Sequence, residues 1–81
     1  MTQLEFPLRV RELLKSRGYD YDKSDFTYKM DNFGMVDVYF GGVYSKHKFP
    51  FLHVGFFAPS EENAEKIVSR VEHFYQKLQV K

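Results

Sequence analysis

"DFTYKMDNFGMVDVYF", Asp25–Phe40, is written in a period of two. Phe26, Tyr28 and Met30 fall on one side of an extended chain, and Val36, Val38 and Phe40 fall on one side of a second. Between them, DNFGM supplies turn-forming residues. A three-residue loop with Gly34 in the left-handed conformation sets Met30 opposite Val36 and Tyr28 opposite Val38. A two-residue loop would slip the register and drive Lys29 into the core. The first register therefore predicts a hairpin with an apolar inner face, and with Lys29 opposite Asp37 and Thr27 opposite Tyr39 on its outer face.

Downstream, FLHVGFFA (Phe51–Ala58) keeps the same period, with Leu52, Val54, Phe56 and Ala58 on the inner side. Keeping Val38 and Leu52 on one face requires an even residue sum. A turn centred near Ser45 meets that condition, setting Asp37 opposite His53 and Tyr39 opposite Phe51. Met35 and Phe57 then extend the apolar part of the outer face. Pro50 stands at the strand's start, where its missing donor costs the ladder nothing, and Gly41–Gly42 let the second strand bend or bulge. The strands are expected over about 25–30, 35–44 and 50–58.

Both flanks turn helical. EFPLRVRELLKSRGY places Phe6, Val10, Leu13 and Leu14 on one stripe, with Pro7 suited to a first helical position and Gly18 to a left-handed cap, predicting a helix over about 7–17. APSEENAEKIVSRVEHFYQKLQ predicts a second over about 61–78. There Ser60 is the N-cap, Glu61 and Glu62 complement the helix dipole, and Ala64, Ile67, Val68, Val71, Tyr75 and Leu78 form the apolar stripe. The expected fold class is α+β: one small domain of order α-β-β-β-α, a three-stranded antiparallel meander with both helices packed on one face. The other face is left to solvent or a partner.

The chain has 81 residues, enough for a single core and little else. Nine Phe and six Tyr, 19% aromatic with no Trp, exceed what so small a core absorbs, so some rings are expected at the surface. A formal net charge of +1 argues against a dedicated polyanion binder. No cysteine is present, which removes disulfides, thiolate metal sites and thiol catalysis. Glu5, Arg9 and Arg11 interrupt the apolar run that a signal peptide needs, and no stretch approaches the roughly 18 apolar residues of a membrane span, so a cytoplasmic protein is expected.

Several chemistries are weighed and set aside. Asp20, Asp22 and Asp25 lack the glycine and terminal Glu of an EF-hand, and read as a solvated acidic loop. His47, His53 and His73 follow no metal-ligand spacing, and Gly41–Gly42 with no helix after it is no phosphate loop. Asp37 and His53 can be placed together, but with no nucleophile aimed at them and Lys29 beside the carboxylate, a cross-strand salt bridge is the expected role. No enzymatic activity, cofactor or metal is expected.

The order α-β-β-β-α resembles the double-stranded-RNA-binding domain in topology. The likeness extends to element order only, because Ser60, Glu61, Glu62 and Asn63 open the last helix where such domains carry phosphate-gripping lysines. A single-stranded nucleic-acid binder, with Tyr39 and Phe51 for stacking and Lys29, Lys46, His47 and Lys48 for phosphate, is the alternative function. The favoured one is a protein-protein interaction module, a regulator or inhibitor of a larger enzyme or complex. Its expected contact residues are Lys29, Met35, Tyr39, Phe51, His53 and Phe57 on the open face, with Lys46, His47 and Lys48 at the hairpin tip. Self-association through that face or a free strand edge is a further expectation.

Overall fold

The computed structural model describes residues 1–46 and 48–79. Its order is α1 (Glu5–Ser16), β1 (Phe26–Met30), β2 (Val36–Phe40), β3 (Leu52–Phe57) and α2 (Glu61–Gln79). The three strands form one antiparallel sheet of order β1-β2-β3, the expected α+β meander. Phe6, Val10, Leu13 and Leu14 of α1 and Ala64, Ile67, Val68 and Val71 of α2 share a core with Val36, Val38, Phe40, Val54 and Phe57. No helix among the described residues is long and apolar enough to cross a membrane.

α1 starts two residues before Pro7, because the Thr2 hydroxyl accepts the Glu5 N–H and the Thr2 carbonyl accepts that of Phe6. Pro7 is tolerated there because the first four helical N–H groups have no partner within the helix. The other end closes as expected. Gly18 has φ 91°, its N–H reaches the Lys15 carbonyl, and that of Tyr19 reaches Leu14, the two bonds of a Schellman cap. α2 begins with the Ser60 hydroxyl accepting the Asn63 N–H at 3.1 Å. The side chain of Leu78 lies outside those described.

The first hairpin has the predicted register, Met30 opposite Val36, Lys29 opposite Asp37 and Thr27 opposite Tyr39. Gly34 takes φ 87°, and one Asp31 carboxylate oxygen accepts the N–H groups of Phe33 and Met35. The inner face of β1 departs from expectation. Phe26 is buried, but Tyr28 and Met30 are exposed. As an outer strand, β1 is not roofed along its length, and a groove of about 520 Å³ opens between it and the Pro7–Leu8 part of α1.

The second hairpin differs more. β2 ends at Phe40 rather than near residue 44, because Gly41 and Gly42 both take positive φ (78° and 107°) and turn the chain away. β3 correspondingly begins at Leu52, and Ala58 is exposed beyond its end. Between the strands, several described loop residues are held by hydrogen bonds. The buried Ser45 hydroxyl donates to the buried Asp25 carboxylate and accepts the Phe49 N–H, while the Gly42 N–H reaches the Phe49 carbonyl.

The pairing of β2 with β3 contains a bulge. Val36 faces Phe57, Asp37 faces Phe56 and Val38 faces Gly55, whereas Tyr39 faces His53 and Phe40 faces Leu52. Val54 is the extra residue. One inserted residue reverses the alternation beyond it, so Phe57 is 8% exposed in the core and Phe56 is 59% exposed outside it. The expectation that Phe57 looks outward and Phe56 inward is therefore corrected. So are the facing pairs Asp37 with His53 and Tyr39 with Phe51.

Candidate functional site

The open face of the sheet carries a row of rings. Phe51, Tyr39, His53 and Phe56 follow one another with centroid separations of 5.5, 5.1 and 5.7 Å. Tyr39 comes from β2 and His53 and Phe56 from β3, on opposite sides of the bulge, while Phe51 immediately precedes β3. The shift that buries Phe57 is what brings Phe56 into this row. Gly42 lies against the Phe51 ring, so the row ends where the β2–β3 loop begins.

Asp37 holds the middle of the row. One carboxylate oxygen lies 2.5 Å from His53 Nε2, and the other accepts the Tyr39 hydroxyl. Its side chain is only 13% exposed, whereas that of His53 is 44% exposed. Desolvation pushes the Asp37 carboxyl up, but hydrogen bonds from Tyr39 and His53 and the charges of His53 and Lys29 outweigh it and hold the group below the usual carboxylate value. In return, the carboxylate hydrogen bond, with desolvation, raises the Tyr39 phenol above its ordinary value. Lys29 completes the group with its Nζ 5.9 Å from the Tyr39 ring centroid. Chemically, the carboxylate uses both oxygens to fix the orientation of two rings.

The structure brings Lys29, Tyr39, Phe51 and His53 of the expected contact set together on this face. Met35 is half-buried beside the β1–β2 turn, where its carbonyl accepts from Gln3 Nε2. Phe57 is not part of the surface. Lys46 and Lys48 are exposed on the loop, with Lys48 at φ 57°, and His47 lies outside the described residues. Among the described residues, no three His, Cys, Asp or Glu side chains gather to hold a metal ion.

Three apolar features lie outside what alternation predicts. Alternation places Phe56 inward, although the isolated Gly55 within a strand pattern is the available signal for a bulge. The sequence pattern puts Val43 and Tyr44 at the end of a strand, yet they stand 95% and 89% exposed on the anchored loop. Phe33 projects from the β1–β2 turn, and no periodicity applies to a turn residue.

The fold and the ring row together define a small α+β domain with a pre-arranged, partly apolar sheet face. Compared with protein-family models, with curated proteins and with solved structures, the chain finds no match.

Proposed function

We propose that the chain is a small cytoplasmic protein-interaction module, a non-enzymatic regulator or inhibitor of a larger enzyme or complex, that binds through the open face of its sheet. The observation that supports this is the locked row Phe51–Tyr39–His53–Phe56, exposed at both ends and fixed at its centre by Asp37. Aromatic side chains are enriched among the few residues that dominate interface energies, and rings already held in one orientation lose less side-chain entropy on binding. Val43, Tyr44, Lys46 and Lys48 are exposed on the loop that follows Gly42, and there they offer further apolar area and basic groups that would steer toward an acidic partner surface. The mutual packing of Tyr39 and His53, inclined by 28°, covers part of the ring faces that a base would need for stacking, which favours a protein over a single-stranded nucleic acid.

The test uses affinity purification with mass spectrometry on the wild type and on Phe51→Ser/Phe56→Ser, two exposed rings whose loss leaves the Asp37 bonds intact. The variant should fold, keep its circular dichroism and lose the captured partner. Retention of the partner would remove the open face as the site. Capture of another copy of the chain alone, checked by sedimentation, would reassign the face to self-association, and salt-sensitive capture of an oligonucleotide in place of protein would reassign it to nucleic acid.

A further inference from the structure

α2 is charged on two sides for two different reasons. Toward α1 it presents Glu61, which bonds Arg9, and Glu65 and Glu72, which both bond Arg17. On another side Arg70, His73 and Lys77 follow at helical spacing and lie beside β3, an outer strand of the sheet. Between this stripe and the strand runs a groove of about 450 Å³ with Leu52, Val54 and Phe74 as its apolar floor. No acidic side chain among the described residues lines it. Among the described residues, no carboxylate pairs with Arg70, His73 or Lys77, the remaining helix acid Glu62 being placed against Lys66.

Arg70 is already oriented for the task. One guanidinium N–H donates to the Val54 carbonyl at 2.6 Å, at the bulge, and the group lies 5.6 Å from the Phe57 ring centroid. That bond occupies one of the five donors of the fork and leaves the others for a carboxylate. We propose that the groove docks a short acidic and apolar segment of a partner protein, with its carboxylates on Arg70, His73 and Lys77 and its apolar side chains on Leu52, Val54 and Phe74. Charge complementarity selects the acidic segment, since a cationic one would meet Arg70 and Lys77 with no carboxylate among the described lining residues. The apolar floor selects a peptide over a bare anion. Nucleic acid fits less well because Phe74 is the one Phe, Tyr or Trp among the described lining residues and is itself half-buried, so the floor offers no series of ring platforms for successive bases. The groove adjoins the ring row at His53, which also lines it, but Phe51, Tyr39 and Phe56 are not among its lining residues, so the two surfaces can be tested separately.

The test is fluorescence anisotropy with a labelled synthetic peptide of about ten residues alternating Glu and Leu, a Lys/Leu peptide of equal length and an oligodeoxythymidine, at low salt. The Glu/Leu peptide should bind in the roughly 1–100 μM range, weaken as salt is raised, and lose about tenfold or more on His73→Glu/Lys77→Glu. Its affinity should be unchanged in Phe51→Ser/Phe56→Ser, which separates failure here from failure of the open-face reading. The proposal is overturned by absence of Glu/Leu peptide binding, by equal binding of the Lys/Leu peptide, by indifference to the charge reversal, or by binding of the oligonucleotide alone.

Discussion

At position 55 the backbone takes φ 138°, a conformation that side-chain-bearing residues rarely adopt, and a Cβ there would stand 3.3 Å from the Phe57 ring. One glycine thus decides which of two adjacent phenylalanines is core and which is surface. Phe57→Ala should cost about 3–5 kcal/mol and Phe56→Ala within about 0.5 kcal/mol, measured by urea denaturation. The reverse order would restore unbroken alternation and refute the bulge. Asp37 gives a second test at this scale. Its folded carboxyl is held below 3.8, so its contribution to stability is present above that value and is lost as pH falls through the lower, folded value. Between about pH 5 and pH 2 the wild type should lose more stability than Asp37→Asn, and the two should converge at the acid end. Parallel urea midpoints across that range would mean that the carboxylate does not hold the rings. The Asp37–His53 contact was legible in the sequence although the pairing was not. Tyr39 faces His53, and Asp37 reaches both rings from its own strand, so the side chains meet across a register displaced by the bulge.

Among the elements, those governed by local rules were readable and those governed by a few backbone angles were not. Both helices follow from a 3.6 periodicity with caps at Gly18 and Ser60, and the first hairpin follows from Gly34 and alternation. The second hairpin failed because alternation assumes an uninterrupted ladder, while Gly41 and Gly42 end β2 and Gly55 shifts β3. The loop so created is tied down at its base. The Gly41 N–H reaches the Asp25 carbonyl at 2.6 Å, and Ser45 joins the Asp25 carboxylate to the Phe49 N–H. A Cβ at position 41 would collide with the Pro50 carbonyl oxygen in addition to the strain of positive φ. Gly41→Ala should therefore destabilise by about 1–3 kcal/mol or more and expose the loop to proteolysis, whereas Gly18→Ala, with open space around it, carries the strain of positive φ alone. Equal losses at the two positions would show that the chain does not pass as closely to Pro50 as the structure has it. The groove beside β3 was illegible for another reason. Arg70, His73 and Lys77 fall on the polar side of a helix in any periodic reading, and only the position of β3 shows that this side is walled.

For the molecule as a whole, the two helices meet through apolar side chains and through ion pairs, and these contribute unequally. Arg9 and Arg17 reach across to Glu61, Glu65 and Glu72, but all these side chains are at least partly open to water, where salt and solvent screen the attraction. Val10, Leu14, Ile67 and Val71 are almost wholly withdrawn from it. In a domain of this size the total stability is on the order of 4–12 kcal/mol, so one large cavity removes a substantial fraction of it. Ile67→Ala should cost about 2–5 kcal/mol, while Arg9→Gln/Arg17→Gln should leave the urea midpoint close to that of the wild type, and raised salt should move it little. Because the aromatic cluster of Tyr21, Phe40, Phe49, Phe74 and Tyr75 continues the same core, tyrosine fluorescence and far-UV circular dichroism should report one transition in both proteins. A larger loss in the arginine variant than in Ile67→Ala would place the helix pairing on its ion pairs. Separate transitions for the two probes would divide the aromatic cluster from the helical layer, and the ring row on the far side of the sheet would then rest on a less rigid base than the proposed interface needs.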